Sequence, residues 1–152
     1  MRLRISICIA LILAACGAVG HAQVKGYWQA ASNNAADITG DIEFSDTKLT
    51  IDFKAYVVAP IRSLKPDEVA AVFDADVNSA GTGELFRLSI PAAQRFLHKN
   101  TLCGTEDTQW VATYVTGKTL EVAFFSGESA PVFTFDAISH SPALCGTYTY
   151  VR

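Results

Sequence analysis

Residues 109–126 read QWVATYVTGKTLEVAFFS. Two runs rich in Val, Thr, Tyr and Phe, Gln109 to Thr116 and Thr119 to Ser126, flank the dipeptide Gly117-Lys118. Residues of these types suit a pleated strand, and a two-residue link containing glycine closes a tight antiparallel hairpin. The rest of the chain repeats the signal. Ile38, Gly40, Ile42 and Phe44 alternate with Thr39, Asp41, Glu43 and Ser45. After a turn at Ser45-Asp46-Thr47-Lys48, Leu49, Ile51 and Phe53 alternate with Thr50, Asp52 and Lys54. A period of two gives each strand one apolar and one wet face.

Further strands are predicted at Gly26 to Ala31, Tyr56 to Ile61, Glu84 to Ile90 and Gly146 to Val151, the last with Tyr148 and Tyr150 on one face. Pro60 confines its strand to an edge or a bulge, because it cannot donate to a ladder. Two short helices are expected. Pro66-Asp67-Glu68 places proline at a first helical position with acids in the first turn, and Pro91 to Phe96 repeats the device more weakly. The pattern predicts a mainly β fold: a small antiparallel barrel or sandwich of seven to eight strands with one or two short helices. Closure would turn Trp28, Trp110, Phe124 and Tyr148 toward the interior.

The N-terminus predicts a compartment. Met1 to Arg4 carries two positive charges, Ile5 to Ala15 is apolar or small, and small residues follow as far as Ala22. A basic start, a short apolar run and a small-residue cleavage site describe an export signal. Two cleavage points compete. Gly20-His21-Ala22 would leave a soluble domain spanning 23–152, and Leu13-Ala14-Ala15-Cys16 would make Cys16 a lipidated first residue. The protein is expected in the periplasm, with a lipid anchor on Cys16 as its one means of holding a membrane.

Loss of Arg2 and Arg4 with the signal leaves ten basic and fifteen acidic residues, a net of −5. That excludes a broad basic footprint for nucleic acid. Of the four cysteines only Cys103 and Cys145 lie well inside the domain. An even pair in an oxidising compartment is expected to form one disulfide.

Catalytic and metal signatures are weak. Asp74-x-Asp76-x-Asn78 suggests a calcium loop, but Ser79 stands where glycine is needed and Glu84 falls one short of the closing position. Ser139-His140-Ser141 is an adjacency and not a triad, and no G-x-S-x-G elbow is present. No metal, cofactor or enzyme is expected, the alternative being a hydrolase of unfamiliar type, which would need His98 or His140 buried beside a carboxylate in a cleft. Trp28, Trp110, Tyr114, Phe124 and Tyr148 either fill the core solidly, since small barrels leave little interior room, or line a cavity for an apolar ligand, for which a dry cavity open at one end is the corresponding expectation. The alternative is a protein-interaction module, for which an exposed aromatic patch is expected within Glu68 to Glu84 or Gly127 to Leu144. A monomer binding a small molecule or an envelope protein is expected in either case.

Asn100-Thr101-Leu102-Cys103-Gly104, Trp110, and Leu144-Cys145-Gly146-Thr147-Tyr148, together with Ile38 to Ile42, resemble a family of small exported proteins from Gram-negative bacteria. The resemblance covers most of the chain after the signal; it implies the disulfide and a compact β domain and carries no active site. By architecture alone the chain is also similar to lipocalin-like barrels and periplasmic lysozyme inhibitors, although the inhibitory loop motif of the latter matches no position here.

Overall fold

The computed structural model describes residues 23–152, so the predicted export segment and Cys16 lie outside the described residues. Nine antiparallel strands form one sheet: β1 (Gly26–Ala30), β2 (Ile42–Phe44), β3 (Lys48–Ile51), β4 (Lys54–Val57), β5 (Ala59–Leu64), β6 (Thr82–Ile90), β7 (Thr108–Thr116), β8 (Thr119–Ser126) and β9 (Leu144–Val151). Their order is β4-β3-β2-β1-β9-β8-β7-β6-β5. β4 and β5 stand at opposite ends of that order, yet only the buried Val58 separates them in the chain. The sheet therefore curls until its two edges meet at Val58, with nine strands where the sequence predicts seven to eight. A ladder irregularity at Pro60 to Arg62 lies on β5, where the proline predicts it.

Alternation sorts the side chains. Trp28, Ile42, Phe44, Leu49, Ile51, Phe86, Val111, Val122, Phe124, Tyr148 and Tyr150 form the inner cluster. A second cluster lies outside β6–β8, where Leu85, Trp110, Ala112, Tyr114, Ala123 and Phe125 pack under α1 (Pro66–Phe73) and α2 (Phe135–Ser139). β7 and β8 are therefore buried on both faces, which is why their sequence is apolar almost throughout rather than alternating. Gly83 lets α1 lie close, since a Cβ there would stand 2.5 Å from Val69 Cγ2.

Helix α1 begins at Pro66 as predicted, and Glu68 accepts the Lys65 backbone N–H at 2.8 Å while Arg62 donates to its two oxygens at 2.7 and 2.8 Å. These bonds hold the Glu68 carboxyl below the usual carboxylate range, the Arg62 hydrogen bonds first among causes. The helix expected at Pro91 to Phe96 is absent. Asp107 captures the Ala92 N–H at 2.8 Å and Arg95 bonds back to the Ala92 carbonyl, leaving a turn in place of a helix. The second helix is α2, started by Thr134, whose hydroxyl accepts the Ala137 N–H. The strand expected from Ile38 shortens to β2, because Ala35–Thr39 forms one turn of π-helix and Gly40 takes a positive φ of 62°. Cys103 and Cys145 are joined, tying the loop before β7 to the start of β9.

Candidate functional site

The five aromatic residues singled out from the sequence do not line one cavity. Trp28, Phe124 and Tyr148 lie inside the barrel and Trp110 and Tyr114 lie outside it, because positions 110 and 114 have the opposite parity to the inward-facing Val111 and Val115. The inner three are packed. The Trp28 indole donates to the Val24 carbonyl at 2.6 Å and lies 4.2 Å from the Arg152 guanidinium, while Phe124 meets Tyr148 edge-on at 5.3 Å. Burial pushes the Tyr148 hydroxyl up to about 12. Outside, Arg87 stacks over Trp110 at 4.5 Å and Tyr114 stacks on Phe73. All five are buried members of two packed clusters, and Tyr114 also lines a small hollow with Ser79 and Gly81.

The remaining sequence candidates are dispersed. His98 and His140 are both exposed. Ser139 donates to the Phe135 carbonyl rather than to His140. Asp76 accepts from the backbone and side chain of Asn78. Among the described residues no three His, Cys, Asp or Glu side chains converge as a metal would require.

A concavity lies on the outer side of β1–β3, away from α1 and α2. It has a volume of about 320 Å³, within the range of small-molecule sites. Its floor is a cross-strand row, since Tyr27 pairs with Glu43 and Glu43 with Thr50. Asp41 and Asp52 lie one residue beyond the paired Ile42 and Ile51, so both carboxylates reach the same end of the ladder. Leu97 closes the far wall, 3.1 Å from where a Gly40 Cβ would stand. Asn100 donates to the Asp37 carbonyl at 3.1 Å and fixes that wall to the π-helical turn.

Electrostatics are one-sided. Asp41, Glu43 and Asp52 line the cleft, and among the described residues no Lys, Arg or His does. Asp41 is held in place, accepting the Tyr27 hydroxyl and the Ala30 N–H. The hydrogen bond to Asp41 raises the Tyr27 hydroxyl above its ordinary range. The rim is the β3–β4 turn, Asp52-Phe53, where both residues take positive φ, 48° and 62°. Turns of this kind favour Asn-Gly or Asp-Gly, and a bulky residue in the left-handed region is strained. The Phe53 ring is 100% exposed, so no packing offsets that strain.

Alternation placed Phe53 on an apolar strand face; the structure makes it a turn residue. Without glycine or asparagine at 52–53, no turn signal exists in the sequence. Asp41 and Glu43 read as ordinary outward residues, distinguished only by a sheet face that α1 and α2 leave open. No family model, curated protein or solved structure matches the chain, so the reading of this cleft stands on its own residues.

Proposed function

We propose that the protein is an exported, non-enzymatic binding protein whose rigid β scaffold holds a small organic cation with an apolar body in the cleft of Tyr27, Asp41, Glu43 and Phe53. One observation carries the reading: a strained, wholly exposed aromatic residue stands on the rim of a concavity whose charged groups, among the described residues, are all carboxylates. Carboxylates attract the ammonium or guanidinium head, and the faces of Tyr27 and Phe53 add cation–π attraction and cover for the body. The packing of Trp28, Phe124 and Tyr148 inside the barrel favours a ligand on its outer wall over one in the lumen, and the acidic lining favours a cationic over a purely apolar one. The N-terminal pattern and the disulfide support export to an oxidising compartment.

The test compares benzyltrimethylammonium with benzoate and benzyl alcohol by two-dimensional NMR and thermal melting. The cation is expected to shift the amides of Tyr27, Glu43 and Phe53 and to raise Tm. At a hundredfold excess over Kd the stabilisation is about 2.7 kcal/mol. Equal responses to all three probes, or a response outside these residues, overturns the reading.

A further inference from the structure

Helices α1 and α2 lie side by side outside β6–β8 and leave a groove of about 470 Å³ between them. Ala70 and Ala71 keep it open, and Phe133 forms its floor, buried edge-on against Phe125. Phe135, 77% exposed, stands at its lip. The groove joins the two segments in which the sequence leads one to expect an exposed aromatic patch. Among the described residues its charged lining is Asp67 and Asp74, the exposed Asp136 stands beside Phe135, and the Arg62 guanidinium, paired with Glu68, lies 5.8 Å from the centroid of the Phe133 ring.

Asp74 is out of place by the rules of helix ends. It caps the C-terminus of α1 in the left-handed conformation, φ 53° and ψ 32°, where glycine or asparagine is preferred. It also puts a negative charge at the negative end of the helix dipole. Among the described residues its carboxylate makes no hydrogen bond or ion pair, unlike Glu68 in the same helix, which Arg62 and Lys65 hold. Asp67 and Asp74 are seven residues apart, two turns, or about 10 Å along the helix. Basic residues at i and i+7 of a partner helix span the same distance, and apolar residues at i+3 and i+4 then face the floor between them.

We infer that this groove docks an amphipathic helix of another protein, its apolar side chains on Phe133 and Phe135 and its Lys or Arg residues seven apart on Asp67 and Asp74. The surface is separate from the cleft on β1–β3 and does not depend on it.

Three 15-residue Ala/Gln-based helical peptides test this on the exported, disulfide-bonded protein. The first carries Lys at positions 4 and 11 with Leu at 7 and 8, the second replaces both Leu by Gln, and the third replaces both Lys by Glu. The first peptide is expected to shift the amides of residues 70–74 and 132–136 and to bind at least tenfold more tightly than the other two. Asp74→Asn is expected to weaken it about tenfold while raising Tm, and Phe135→Ala to weaken it similarly with Tm unchanged. The opposite signs for Asp74→Asn separate recognition from folding. Equal binding of the three peptides, a footprint elsewhere, or a dimer in sedimentation equilibrium that buries this face would each overturn the inference.

Discussion

The Tyr150 hydroxyl lies 2.7 Å from Thr39 Oγ1 inside the barrel, joining residues 111 positions apart in the chain. Thr39 Oγ1 is also 3.1 Å from the Ala35 carbonyl. With the threonine proton directed there, Tyr150 is the donor to Thr39. The bond pins the π-helical turn to the end of β9, and that turn delivers Gly40 and Asp41 to the cleft.

Tyr150→Phe is expected to cost about 1 kcal/mol, because Thr39 keeps its bond to Ala35. Thr39→Val strands the tyrosine hydroxyl in the core and is expected to cost more, about 2 kcal/mol. The double variant should be less destabilised than the two single losses added together. Urea unfolding of the four proteins measures all three quantities.

Burial raises the Tyr148 hydroxyl to about 12 and the Tyr150 hydroxyl further, while an unfolded tyrosine ionises near 10. The native state therefore holds these protons more tightly than the unfolded chain. Their contribution is fully present below about pH 10 and is lost as pH rises through 12. Tyrosinate absorbance should show Tyr27 ionising with the fold intact and Tyr148 and Tyr150 ionising only as circular dichroism reports unfolding. Replacing both by phenylalanine should move the alkaline midpoint upward; an unchanged midpoint would place the limiting group elsewhere.

The framework was legible because it obeys simple periods. The hairpin at residues 109–126, the Pro66 helix start and the Cys103–Cys145 pair each depend on local chemistry that sequence carries directly. The side on which an aromatic residue lies was harder to read. Trp110 and Tyr114 fall outside because helices cover β6–β8, and no single strand's pattern records what covers it. The near-continuous apolar run from Trp110 to Val115 was the available sign that both faces are buried. The cleft was less legible still, since Tyr27 on β1 and Phe53 in the β3–β4 turn meet Asp41 and Glu43 at β2 only through register. Phe53 breaks the local rule for its turn, and such violations are expected at functional sites rather than in the framework.

Gly83 is a packing glycine. A methyl group there would stand 2.5 Å from Val69 Cγ2 and 3.0 Å from Leu64 Cβ. Gly83→Ala should push α1 off β6 and cost about 1–3 kcal/mol, the range for an overfilled core. Hydrogen exchange should show the amides of residues 69–73 opening faster and those of β8 and β9 much less affected. Uniform acceleration would mean that α1 and the barrel unfold together.

The Cys103–Cys145 bond closes a loop with a sequence separation of 42. In the chain-entropy account a loop of this size contributes about 4 kcal/mol. Urea unfolding with and without reductant should differ by about that amount. A difference below about 1 kcal/mol would mean that the reduced chain keeps the two segments together without the bond.

Phe53 separates the demands of folding from those of binding most cleanly. An L-residue in the left-handed region costs about 1–2 kcal/mol, and glycine escapes that cost while losing some entropy on folding. The ring is wholly exposed, so removing it sacrifices no packing. Phe53→Gly should therefore stabilise the protein by about 0.5–1 kcal/mol in urea unfolding. Phe53→Ala keeps the strain and should leave stability nearly unchanged. Both variants should weaken benzyltrimethylammonium binding alike, since both delete the aromatic face. A stability gain confined to glycine, with binding lost in both, would establish that Phe53 is held in a strained conformation for contact with a ligand. If glycine proves destabilising, the ring supports the hairpin itself, and the case for the cleft loses its main observation.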